Sequence, residues 1–308
     1  VHEAPYVTFF AFAEGRIMKP GNRHSHVVAF LLLILVGSLI AIPQLNHDAF
    51  FLRHRLWLWL GYALLMAIVA LYLGRAITDH GKYSVLIDDT NRMSLSLLQF
   101  ALWSLLLFST VAASLTINQV LGVANPWAID IPSELLIASG VSLATLVAAR
   151  VVESDAANMT PDQNVLAKND WRDNQGNAID PAQQNTSGLF HADPAAGSNA
   201  GSDFTNRGVM AARTEAATAS FADLVTGVAI NGVTKVDLAR VQMLILTMVI
   251  IGTYAGQVWT NLVAASGDGT TVPGFAFPGM TPELVALLAL SSVGYVGGKQ
   301  LDIYHSRT

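Results

Sequence analysis

Six stretches of this chain carry no lysine or arginine, and each is long and apolar enough to cross a lipid bilayer. They run approximately over 27–43, 56–74, 97–117, 133–149, 241–263 and 282–298, and acids occur only at the starts of the fourth and sixth. About 20 apolar residues in a helix cover a hydrocarbon core of roughly 30 Å. Lipid offers no partner to a backbone N–H or C=O, so such segments must bond internally, as helices do. One such stretch fits a buried helix of a soluble protein. Six within 308 residues, of which only 13% are charged, do not. The expected fold is all-α: an integral membrane helical bundle of about six transmembrane helices.

Basic residues give an expected orientation. Of 17 Lys and Arg, only Arg53 and Arg55 fall on the side opposite the N-terminus. The positive-inside rule then places both ends on the cytoplasmic side. Trp57, Trp59, Trp127 and Trp259 map near the outer boundary as an aromatic belt, whereas Trp103 falls inside the third span and reads as packing. Arg16, Lys19 and Arg23 precede the first span, but Pro43 and Gln44 follow it instead of a small-residue cleavage site. No cleavable signal peptide is therefore expected.

Two hairpins correspond in sequence. Ser94-Leu95-Ser96-Leu97-Leu98-Gln99 opens the third span as Asp237-Leu238-Ala239-Arg240-Val241-Gln242 opens the fifth. Pro132-Ser133-Glu134-Leu135 opens the fourth as Thr281-Pro282-Glu283-Leu284 opens the sixth. Ser94 and Asp237 suit an N-cap, and a first-turn proline and glutamate suit a helix N-terminus. Two spans per unit make this a parallel repeat rather than an inverted one. The chain then divides into a cytoplasmic segment (1–25), an N-terminal hairpin (26–80), a first repeat hairpin (81–150), a cytoplasmic insertion (151–235), a second repeat hairpin (236–299) and a tail (300–308). The insertion holds ten acidic and five basic residues, and its middle is rich in Asn, Asp, Gly and Gln. Asp173 to Asn177 reads as a turn, 209–229 as a helix ending near Gly227, and Phe221 to Val225 as a stretch that docks on the membrane face. The whole is expected to be extended and poorly packed unless a partner or the bundle holds it.

Composition narrows the chemistry. The chain has no cysteine, which removes disulfides, thiolate nucleophiles and iron–sulfur ligation. No ionisable residue falls near the middle of a span, where proton relays and voltage sensors keep theirs. All eight histidines lie in loops, tails or span edges, away from positions that would ligate a buried haem. No cofactor, metal site, catalytic group or nucleic-acid partner is expected. Gln99 and Gln242, with Glu134 and Glu283, are the candidate polar lining or helix contacts. Ser109-x-x-x-Ala113 matches Gly252-x-x-x-Gly256, and Thr145-x-x-x-Ala149 matches Gly294-x-x-x-Gly298. Small residues four apart let helices approach closely in lipid.

The run Asp88-Asp89-Thr90-Asn91-Arg92-Met93-Ser94-Leu95-Ser96 with Gln99 and Trp103 resembles a family of uncharacterised bacterial multi-pass membrane proteins bearing an NRxSLSxxQ-type segment. In those chains it is paired with a proline-led helix like Ile131 to Leu136, an element like Phe221 to Leu224 and a helix like Asp237 to Gln242. The resemblance covers about 84–298 and implies membrane topology and bacterial origin; the Asn/Gly-rich insertion departs from it. The expected function is a non-catalytic scaffold or accessory subunit in contact with the bilayer and with its own copies or other membrane subunits. The alternatives are an oligomeric channel or facilitator, and a membrane subunit of a redox or enzyme complex.

Overall fold

The computed structural model describes residues 23–44, 50, 53–77, 84–169, 171–172, 190–191, 204–233, 235–264 and 275–307. Seven α-helices dominate it: α1 (Arg23–Ala41), α2 (Arg55–Ile77), α3 (Leu95–Val120), α4 (Ser133–Ala157), α5 (Gln163–Lys168), α6 (Leu238–Ala264) and α7 (Pro282–His305). All but the short α5 are long and apolar enough to cross a membrane. The chain is a multi-pass helical bundle. In it α1 packs on α2, α2 on α3, α3 on α4 and α6, and α7 on both α4 and α6.

The helices start at the positions the sequence correspondence pairs, Leu95 with Leu238 and Ser133 with Pro282. The preceding turns also bond alike. The Ser94 N–H donates to the Leu86 carbonyl at 2.8 Å, and the Asp237 N–H to the Val225 carbonyl at 2.8 Å. The caps differ. Asp237 accepts the Ala239 N–H at 2.9 Å, whereas the Ser94 hydroxyl turns instead to Ser96, 3.1 Å away.

Two helices outrun their expected ends. α4 continues to Ala157 and α7 to His305, two turns beyond 149 and 298. Arg150 and Lys299 do not stop them, because their charges find partners at the end of the bundle that carries the insertion. A second correction concerns Trp59. It is a core residue and not part of a belt, buried with its indole N–H donated to Thr110 Oγ1 at 3.2 Å. Trp57, Trp127 and Trp259 remain exposed, and Trp103 is buried in the same apolar cluster as Trp59.

The insertion departs most from expectation. Short strands β1 (Trp171–Arg172), β2 (Phe190–His191), β3 (Phe204–Arg207) and β4 (Met210–Arg213) form one antiparallel sheet in that order. The expected helix over 209–229 is absent. In its place are β4 and two single-turn 3-10 helices, Ala216–Thr218 and Phe221–Leu224. Local propensity loses because β4 is buried along its whole length and used at both edges. It pairs with β3 on one side; on the other, the Ala211 N–H donates to the Val228 carbonyl at 2.9 Å and the Ile230 N–H to the Val209 carbonyl at 3.1 Å. Leu166, Trp171, Ala211, Ile230 and Val233 make a small core of their own. The described part of the insertion is therefore packed, and the bundle holds it. Leu224 docks among Met93, Leu95, Met243 and Tyr295, residues of the helix ends, while Phe221 beside it stays exposed. The turn at Asp173 to Asn177 lies outside the described residues.

Gly208 joins β3 to β4 with φ at +60°, and a Cβ there would sit 2.3 Å from the Ala156 carbonyl oxygen of α4. Both the left-handed backbone and the contact exclude a side chain. Gly208→Ala is expected to lower the unfolding free energy by about 2–4 kcal/mol. Thermal denaturation in detergent, followed alongside Gly140→Ala, whose Cβ would meet nothing, measures it.

Candidate functional site

The most organised polar feature lies where the insertion meets the helix starts. The turn before α3 is preformed. Asp88 accepts the Thr90 N–H at 2.9 Å and the Arg92 N–H at 3.3 Å, and Asn91 takes a φ of +56°, a conformation asparagine tolerates better than most residues. This geometry aims Arg92 into the protein. Its guanidinium donates to the Gly227 carbonyl at 2.6 Å and to Thr226 Oγ1 at 2.7 Å, and its Nε lies 3.5 Å from Asp223. Both side chains of that pair are 1% exposed.

Asp223 is the hub. Arg213 donates to it through Nε, at 3.0 and 3.1 Å, and through an Nη at 2.9 Å, the two-pronged match that guanidinium and carboxylate allow. The same carboxylate accepts the Ser220 N–H at 2.8 Å and the Met93 N–H at 3.4 Å, while Arg240 of α6 donates to the Asp223 carbonyl at 3.1 Å. Phe204 lies under two of the cations, with its ring centre 4.7 Å from the Arg213 guanidinium carbon and 5.6 Å from that of Arg92. Burial, and then the nearby Arg240, pulls the Arg92 pKa down to about 10, against the attraction of Asp223 and Asp88. Arg92 therefore stays charged at neutral pH.

A second buried pair joins α4 to α7. Lys299 Nζ donates to Glu153, and Arg150 approaches the same carboxylate at 3.6 Å while also reaching Asp89 at 3.6 Å. The spacing that pairs Glu134 with Glu283 also pairs Arg150 with Lys299 and Glu153 with Asp302. The two acids fare differently. Glu153 takes both bases, whereas Asp302 makes no ion pair among the described residues and accepts only the Ala229 N–H, at 3.4 Å. Asp302 lines a cavity of about 410 Å³ with Asn231, Gly232 and Lys235.

The sequence-expected residues are dispersed. Gln99 is wholly buried on α3, and neither of its amide atoms finds a partner among the described residues. Its counterpart Gln242 is exposed on α6, so the two do not form one lining. Glu134 and Glu283 sit in the first turns of α4 and α7, where the helix dipole favours them; Glu134 accepts the Ser133 hydroxyl at 3.1 Å. Ser109, Ala113, Thr145 and Ala149 are buried inside the bundle. Gly252, Gly256 and Gly294 are exposed, with nothing near an added Cβ, and Gly298 lies against Ala239.

Sequence reasoning missed Arg92, Arg213, Asp223, Arg240, Glu153 and Lys299 as a set. One signal was available: charged residues recur at matched distances past the ends of matched spans. Chemically, the arrangement binds the insertion to both hairpins through paired charges. Among the described residues no three His, Asp or Glu side chains converge as metal ligands. No protein-family model, curated protein or solved structure matches the chain.

Proposed function

We propose that the chain is a non-catalytic membrane scaffold or accessory subunit of a larger membrane assembly. We place it in a bacterial inner membrane with both termini in the cytoplasm, and read its two matched hairpins as an internal duplication. The observation that carries this reading is the use made of the buried charges. Asp223 is spent on Arg92 and Arg213, and Glu153 on Lys299 and Arg150. Such groups hold one element on another and leave a fixed polar platform at one end of an apolar bundle. Exposed glycines on α6 and α7 add faces that other helices could approach closely.

Purification from the native membrane in mild detergent, followed by mass spectrometry, tests the reading. A stoichiometric membrane protein, or the chain itself in more than one copy, is the expected companion. A lone monomer with nothing bound would overturn it.

A further inference from the structure

The sequence correspondence leaves one acid without its base. Arg150 and Glu153 of α4 match Lys299 and Asp302 of α7. Glu153 takes both Lys299 and Arg150. For Asp302 the matching base is Lys299 itself, which is turned to Glu153, and no other base pairs with Asp302 among the described residues.

Asp302 is nevertheless partly buried, beside a cavity of about 410 Å³. A Cβ at Gly232 would stand 3.3 Å from both carboxylate oxygens, so a side chain there would crowd them and glycine leaves the space in front of them free. The Ala229 N–H reaches one of these oxygens, at 3.4 Å, and the other has no hydrogen bond among the described residues. Asn231 adds a second unused acceptor to the cavity lining: its Oδ1 is buried and unpartnered among the described residues. The other acid in the lining, Asp237, is spent on the Ala239 and Arg240 N–H groups and on the Arg240 guanidinium, 3.5 Å away.

The rest of the lining differs in character. Lys235 is exposed, and its ammonium donates to the Asn231 carbonyl at 2.8 Å, which sets a positive charge beside the residue whose amide oxygen is unused. Val236 and Leu238 are 70% and 77% exposed where the apolar α6 begins. At the end of a membrane span such side chains meet lipid headgroups and the nearest part of the acyl chains. A divalent cation is poorly served here, because one carboxylate offers too few oxygens and Lys235 repels it. A primary ammonium is well served. It brings three N–H donors to a charged acceptor and an amide acceptor.

We propose that this cavity binds the headgroup of phosphatidylethanolamine. The ammonium donates to Asp302 and to Asn231 Oδ1, the phosphate pairs with Lys235, and the acyl chains lie against Val236 and Leu238. The chemistry recognised is that of an ethanolamine phosphate, and the two exposed apolar side chains favour lipid over free phosphoethanolamine as its source. Phosphatidylcholine carries the same charges without the N–H donors, and phosphatidylglycerol has the phosphate without the ammonium.

Native mass spectrometry of the full chain in detergent, with the three lipids added in equal amounts, reads the site. Phosphatidylethanolamine is expected to be retained about tenfold over either of the others. Asp302→Asn, which keeps an acceptor for the Ala229 N–H, is expected to abolish that preference. Glu283→Gln, which removes an acid from the opposite end of α7, is expected to leave it unchanged. The preference of the parent chain needs no variant, so it is readable even where a substitution disturbs the fold. Equal retention of phosphatidylethanolamine and phosphatidylcholine by the parent, as Lys235 closing on Asp302 would give, would overturn the site. So would an Asp302→Asn variant as selective as the parent. Displacement of the bound lipid by an equal concentration of free phosphoethanolamine would overturn the membrane as the source of the ligand.

Discussion

Asp223→Ala is expected to loosen the insertion from the bundle and to cost about 3–5 kcal/mol of stability, the range for removing one partner of a buried ion pair. The cost comes from what remains. Arg213 loses all its bonds to the carboxylate and Arg92 loses its neighbour at 3.5 Å, so two guanidinium groups are left buried with less compensation. The Ser220 and Met93 N–H groups lose an acceptor as well. Asp223→Asn keeps the shape and part of the hydrogen bonding, and is expected to fall between the two. Limited proteolysis gives the local readout, with cleavage within 204–233 appearing in Asp223→Ala at concentrations the parent protein resists. Thermal denaturation gives the global one. A variant as stable and as protease-resistant as the parent would show that this network does not hold the insertion.

The Glu153–Lys299 pair should respond asymmetrically. Glu153→Leu strands Lys299, which is 1% exposed, and leaves Arg150 with only the more exposed Asp89. Lys299→Met leaves Glu153 with Arg150 still 3.6 Å away. The glutamate variant is therefore expected to lose about 3–5 kcal/mol and the lysine variant less. The double variant replaces both charges by apolar groups and should recover most of the loss, a coupling of about 1–3 kcal/mol in a double-mutant cycle. Equal single losses that simply add would mean that the two side chains do not act as a pair.

What could be read from the sequence follows from the range over which each feature is decided. The six long helices were legible because their apolar stretches state their environment residue by residue, as in 27–43 and 56–74. Their ends were not. Arg150 and Lys299 look like terminators until Glu153, one turn on from Arg150 and 146 residues from Lys299, supplies the countercharge to both. β4 was hidden for the same reason: Met210-Ala211-Ala212-Arg213 has no strand signal of its own and becomes one through β3 and Val228. Gln99 and Gln242 looked equivalent because sequence correspondence reports position on a helix, not what lies against it. α2 packs along α3, whereas the matching face of α6 is exposed among the described residues. The hub at Asp223 escaped notice because Arg92 and Arg240, on either side of it in sequence, meet only when both hairpins are in place.

That meeting bears on how the protein is made. Met93 and Asp223 are hydrogen-bonded across 130 residues of sequence, and Arg92 beside Met93 waits for the same acid. During synthesis the first four membrane helices are complete long before that acid leaves the ribosome, and until then the arginine must stay hydrated. The first four membrane helices are therefore unfinished at the end where the insertion will pack. Final closure waits longer still, for α6 and α7, which follow Asp223 in the chain and bring Arg240, Met243 and Tyr295 to the same place.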